Sequence, residues 1–213
     1  MLQIIKDGTE LFRFIQNKNN PERVVIIPDT VKTLSGYAFS NPDARGVKMV
    51  YLPDTITEIP PRCFWGSTVS FVRMSPNVKQ IFEYAFERCD NLQQIYVPED
   101  CKLGIKRYDG TYLNSDTVFR NCTSLRRFQP WLEYHVNGDK LTLLWQVGAV
   151  NGELQESDDR KGEFKTVSDK GYYVTEKPKT APKYYRVIER IKEQKTRVKN
   201  GELQRTRIIE ILP

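Results

Sequence analysis

Catalytic and metal-binding chemistry has little to work with in this sequence. Its 213 residues contain one histidine, His135, with no Cys or Asp neighbour at the spacing of a metal site or a catalytic triad. The four cysteines, Cys63, Cys89, Cys101 and Cys122, form no C-x-x-C pair, so a structural zinc site is not expected. Glycine-rich phosphate loops, a nucleophile elbow and a dinucleotide fingerprint are all missing. No apolar run approaches the ~20 residues that a bilayer-spanning helix needs. The first residues, MLQIIKDGTELFRF, reach charge within six positions. They therefore lack the unbroken apolar segment and small-residue cleavage site of a secretory signal. That pattern fits either an intracellular protein or a mature or trimmed chain. Together these absences predict a protein that is not an enzyme and uses no cofactor, metal or small-molecule substrate.

Charge excludes less. The formal net charge is +6 and the pI is near 9.1, yet Lys and Arg are spread among 27 acids. Only residues 177–207 are locally dense in base. Without a recognised binding motif, nucleic acid is not the expected partner. The acids Glu153, Glu156, Asp158, Asp159 and Glu163 lack the alternating order of a calcium loop. The segment NGELQESDDRKGEF around them reads as an exposed, solvated loop.

What the chain does have is a period. Four segments align from Val24 onward: VVIIPDTVKTLSGYAF, MVYLPDTITEIPPRCF, VRMSPNVKQIFEYAF, and IYVPEDCK with its continuation TVFRNC. One position is filled by Pro28, Pro53, Ser75 and Pro98, at steps of 25, 22 and 23 residues. Phe39, Phe64, Phe86 and Phe119 form a second column, and Leu34, Ile59 and Ile81 a third. Val47, Val69, Leu92 and Leu125 open the next strand each time. A period near 23 with aligned apolar columns signals stacked units, each closing the core of its neighbour. The expected architecture is mainly β, a solenoid of four to five repeats of 22–25 residues. Asp7-Gly8, a dipeptide favoured in two-residue hairpin turns, places an N-terminal hairpin cap over residues 1–20. Residues 101–113, CKLGIKRYDGTYL, lengthen the last step and read as an insertion with a turn at Asp109-Gly110.

The strings NLQQIYVPE, LPDTITEI, EYAFERCDNL and VFRNCTSL resemble the BspA-type leucine-rich repeat over about residues 21–130. Cys63 departs from the pattern by replacing the Ala before Phe, and the Cys column is filled only by Cys89 and Cys122. At such positions a thiol packs like a small hydrophobe, so free thiols are expected, with Cys101 on the insertion the best candidate for an exposed one. The resemblance implies protein binding, bacterial adhesion and a cell-surface or secreted setting. The missing export signal leaves a cytoplasmic setting open. A matrix or host protein is the partner it implies.

Strand alternation then assigns directions. With Val47, Val50 and Leu52 inward, Met49 and Tyr51 point out. The matching outward pairs are Phe71 and Arg73, Gln94 and Tyr96, Arg127 and Gln129, with Val24 and Ile26 beginning the rows. Exposed aromatics and Arg on a regular scaffold are the stuff of interface hot spots. Met49, Tyr51, Phe71, Arg73, Gln94, Tyr96 and Arg127 are therefore the candidate binding residues.

After Pro130 the period stops, which divides the chain into domains of 1–130 and 131–213. In HVNGDKLTLLWQV, the residues Leu141, Leu143, Trp145 and Val147 alternate onto one face, the pattern of a half-buried strand. GYYVT and YYRVIERI are further strand candidates, and Asn200-Gly201 a hairpin turn. A helix over 184–199 is the alternative for the second of these, with Tyr184, Val187, Ile188 and Ile191 on one stripe. The Trp145 strand and KYYRV resemble a fibronectin type III or immunoglobulin-like β-sandwich. If the repeats were only a spacer or assembly module, this basic C-terminal domain would carry recognition.

Overall fold

The structure is a computed structural model that describes residues 2–5, 7–17, 22–106, 112–126, 131–147, 152–188 and 209–213. The chain divides into two compact units, Met1–Phe128 and Gln129–Pro213.

The first unit is a β-solenoid. One wall is a parallel sheet in which Val24–Ile26, Met49–Tyr51, Phe71–Arg73 and Gln94–Ile95 follow in order. Val25, Val50, Val72 and Ile95 are in register and point into the core. A second parallel row joins Glu58–Ile59, Gln80–Ile81 and Lys102–Leu103. The strands are short because each turn of the coil must leave the sheet again. Prolines help them end, since Pro53 offers no N–H to continue a ladder. Ser75 takes that position in the third repeat, and its hydroxyl donates to the Ile56 carbonyl of the repeat before at 2.7 Å.

The turns carry the strongest column. Phe39, Phe64, Phe86 and Phe119 stack nearly parallel, with successive ring centroids 5.0, 4.8 and 5.4 Å apart. Their backbone forms a ladder of its own. The N–H groups of Phe39, Phe64 and Phe86 donate to Cys63, Ala85 and Val118 of the next repeat at 2.7, 2.8 and 3.0 Å. A buried Phe contributes roughly 1.5–3 kcal/mol by area alone, and each aromatic pair about 0.5–1.5 more.

The N-terminal hairpin extends this column. Leu2–Ile5 pairs antiparallel with Glu10–Phe14, which pairs in parallel with Thr33–Leu34. Phe14 is fully buried, stacks 5.9 Å from Phe39, and donates its N–H to the Ala38 carbonyl at 2.8 Å. The hairpin therefore supplies a first rung, 25 residues before Phe39. Ile5 pairs with Glu10, so four residues separate the paired ends rather than two. Asp7 and Gly8 still provide the left-handed pair, at φ 54 and 87.

The supposed insertion begins later than its first residue. Lys102–Leu103 pairs with Gln80–Ile81, so Leu103 continues the column of Leu34, Ile59 and Ile81. Cys101 likewise stands where Val31, Ile56 and Val78 stand, and it packs against the same core. The true excursion is a hairpin of Ile105–Lys106 with Tyr112–Leu113. The turn expected at Asp109-Gly110 lies outside the described residues.

Among its described residues the second unit has seven strands in two antiparallel sheets. Trp131–Asn137, Lys140–Gln146 and Tyr172–Glu176 form one, with Lys140–Gln146 central. Lys165–Ser168, Glu153–Ser157, Lys183–Ile188 and Ile209–Ile211 form the other, in that spatial order. Leu141, Leu143 and Trp145 of the first share a core with Leu154, Tyr185, Val187 and Ile211 of the second. Two expectations change. Residues 140–146 are not half-buried, because Thr142, Leu144 and Gln146 on the opposite face are also closed to solvent. The acidic segment is not simply an exposed loop, since Glu153–Ser157 is an interior strand of its sheet. Leu154 gives it a core anchor, and Lys183 pairs with Glu156 and Asp158 at 3.6 and 2.8 Å. Residues 183–188 are strand, and 189–199 lie outside the described residues, as does the turn expected at Asn200-Gly201.

Candidate binding face

Six of the seven candidate residues fall on the outward side of the parallel repeat sheet or beside it. Register aligns Val24, Met49, Phe71 and Gln94 in one column. Ile26, Tyr51 and Arg73 form the next, and Tyr96 follows directly after the last strand. Arg127 lies outside the described residues, as does Gln129.

Exposure separates them. Phe71, Gln94 and Tyr96 are half-buried. Met49, Tyr51 and Arg73 are only 4, 4 and 1% exposed, which corrects the expectation of an open row. Part of the reason is local. The Arg73 guanidinium lies 5.0 Å over the Tyr51 ring, and its Nη1 donates to the Leu52 carbonyl at 2.8 Å and to Asp54 at 2.6 Å. A guanidinium closed off in this way is held by its stack and its carboxylate, and it covers the aromatic beneath it. Tyr96 touches the edge of the core. Burial, and then the nearby Glu99, push its phenol above the ordinary value, so it stays a neutral hydrogen-bonding group.

A second row stands on the turn edge, one large residue from each of three consecutive repeats. Tyr37, Arg62 and Tyr84 each lie two positions before the stacked Phe, and each adopts the left-handed conformation, at φ 64, 58 and 59. Arg62 sits between the two rings, 6.0 Å from Tyr37 and 4.9 Å from Tyr84. Arg120 covers Tyr84 at 5.2 Å. Beside them, Trp65 Nε1 donates to Glu87 at 3.2 Å, and Arg120 Nε donates to the same carboxylate at 2.8 Å. Sequence reasoning passed over this row. The signal was available in the alignment, at the positions two before and one after each Phe.

The thiols are structural. Cys89 and Cys122 donate to the carbonyls of Phe64 and Phe86, the aromatic one repeat earlier, each at 3.0 Å. The proximity of the two free thiols raises Cys89 and lowers Cys122 from the ordinary thiol value, and burial raises Cys89 further. Ser67 holds the equivalent place in the preceding repeat, and its buried hydroxyl has no hydrogen-bond partner among the described residues. Cys101 is half-buried, and burial pushes its thiol up to about 11, which works against a nucleophilic role. Among the described residues, no group of three or more His, Cys, Asp or Glu side chains gathers in a way that could hold a metal ion. Nor, among the described residues, is any helix long and apolar enough to cross a membrane.

This geometry agrees with comparison to known proteins. The profile of the BspA-type leucine-rich repeat region matches residues 14–129, and the chain belongs to that family. Its first matched residue is Phe14, the first rung of the aromatic column. Repeat proteins of this kind generally mediate protein–protein interaction. No curated protein matches the chain. Among solved structures, a leucine-rich cell-surface protein from Faecalibacterium prausnitzii is similar at 17% identity and a TM-score of 0.37, over 59% of this chain and 36% of that one. A leucine-rich repeat protein from Eubacterium ventriosum is similar at 18% identity and a TM-score of 0.27, over 64% and 52%. The chain thus spans about a third and about a half of those two structures, and neither likeness bears on function.

Proposed function

We propose that the chain is a non-enzymatic interaction module that meets a protein partner through the outward side of its repeat sheet, at Phe71, Gln94 and Tyr96. The carrying observation is the in-register column that brings Phe71 and Gln94 side by side, with Tyr96 immediately after. Met49, Tyr51 and Arg73 form the closed part of the same face and fix its shape. A bacterial surface setting with a host or extracellular-matrix protein as partner fits the family. The test is retention of the full chain on an immobilised panel of matrix proteins. A Phe71→Ser/Tyr96→Ser variant that melts as a folded protein should lose at least about tenfold in retention. Unchanged retention by the variant, or no retention of the parent chain, would contradict the proposal.

A second reading is favoured by the closure of Met49, Tyr51 and Arg73. In it the repeat sheet is structural, and recognition belongs to the C-terminal unit. The strand order there supports a fibronectin type III-like sandwich. Its first, second and fifth strands form one sheet, and its fourth strand joins the third, sixth and seventh. A constant-type immunoglobulin domain divides its strands four and three instead. Tyr134 and Val174, 46 and 40% exposed, are the residues to change in the same panel. Loss through Tyr134→Ser/Val174→Ser with Phe71→Ser/Tyr96→Ser unaffected would establish this second reading.

A further inference from the structure

We propose that the turn edge of the repeat unit is a second interaction surface, where Arg62, framed by Tyr37 and Tyr84, receives a carboxylate from an acidic segment of a partner protein. The proposal does not depend on the sheet face, which lies on another wall of the solenoid. Three observations carry it. Tyr37, Arg62 and Tyr84 place large side chains at left-handed positions, where L residues rarely sit, in three consecutive repeats. The guanidinium is set between two rings, so its fork is oriented before anything binds, and little side-chain entropy remains to be lost. Charge is the third. Glu87 neutralises Arg120 and is itself held by Trp65, but among the described residues no carboxylate or carbonyl accepts from Arg62.

One oriented, uncompensated guanidinium with aromatic flanks suits a single carboxylate on a chain whose neighbouring side chains can lie on Tyr37, which is 43% exposed, and on Trp65. A polyanion such as heparin or nucleic acid needs a run of free cations tracking its backbone. Here the next cation along the row is already paired. Arg62 stands against the rings of both Tyr37 and Tyr84, and a third tyrosine in its place would leave them without that cation.

The test uses the full chain against an array of dodecapeptides carrying none to four Asp or Glu residues in Gly/Ser/Tyr backgrounds, each with an Asn/Gln twin. Acidic members should be retained at least about tenfold over their twins. Arg62→Gln should bring them to the level of the twins, and Arg62→Lys should recover little, because an ammonium cannot engage both carboxylate oxygens in parallel. Phe71→Ser should leave this binding unchanged, which separates the turn edge from the sheet face. Should Arg62→Gln fail to fold, Tyr37→Ser takes its place and must also lose retention. Equal binding of the twins, retention unaffected by the Arg62 or Tyr37 change, or Arg62-dependent capture of heparin in preference to every peptide would overturn the proposal.

Discussion

In the repeat unit, phenylalanines from five successive turns stack with centroids 4.8–5.9 Å apart, and each position is filled again in the next repeat. The C-terminal unit instead draws residues that occur once, such as Trp145, Leu154 and Tyr185, into a core shared by two antiparallel sheets. A rung in the first unit is supported mainly by the rungs on either side. A core residue in the second is held by strands distant in sequence. The difference governs what each unit can present. The repeat unit displays rows, in which a surface residue has counterparts one turn away, whereas the C-terminal unit displays single sites.

The comparison can be broken at the column. Phe64→Ala removes a central rung with a stacked neighbour on both sides, and should cost about 3–5 kcal/mol. Phe14→Ala, at the end of the column with one stacked neighbour, should cost less. Urea unfolding monitored by circular dichroism reads both. Equal losses would mean that the column does not act as a one-dimensional stack.

Alkaline pH sharpens the contrast. Burial holds the Cys63 thiol well above its ordinary 9.0, and burial together with nearby Glu156 raises the Tyr185 phenol above 10.0. Both groups keep their proton in the folded chain while the unfolded chain releases it. Stability is therefore unaffected below pH 9 and falls as pH rises past the unfolded value, first for the thiol and a unit later for the phenol. Cys63 alone should remove about 1.4 kcal/mol by pH 10. Ala occupies the equivalent place at Ala38 and Ala85, so Cys63→Ala should fold and lack this loss. Denaturation midpoints between pH 8 and 10.5 measure it, and a parent midpoint flat to pH 10 would contradict the assignment.

The smallest effect is a repair. Ser67 stands one repeat before the column in which Cys89 and Cys122 bond to the preceding phenylalanine carbonyls. Ser67→Cys should stabilise the repeat unit by about 1 kcal/mol, through a paired thiol in place of an unpaired buried hydroxyl. A lower melting temperature would show that the site cannot accept the larger sulfur.

Legibility follows the same division. The Phe, Pro and aliphatic columns could be read because repetition averages out local ambiguity, and the inward direction of Val50 and Leu52 followed from alternation. Leu103 and Cys101 were misplaced because the hairpin after them disturbed the spacing, although both keep their repeat positions. Phe14 was missed because the hairpin holding it has no proline and sets Phe14 three residues after Leu11, the partner of Leu34, where the repeats set five. The burial of Met49, Tyr51 and Arg73 was not legible, since alternation gives direction but not exposure. In the C-terminal unit, Glu153–Ser157 looked like a loop because its charges outnumber its single core anchor, Leu154. The pairing of that strand depends on partners some 30 residues away.

The proposed function requires the repeat sheet to make the contact with the partner. The most direct measurement is hydrogen exchange on the full chain, with and without the matrix protein that retains it. Slowed exchange concentrated at Phe71–Arg73 and in residues 94–96 is the predicted result. Protection confined to the strands between Trp131 and Ile188, with the repeat sheet unchanged, would contradict it.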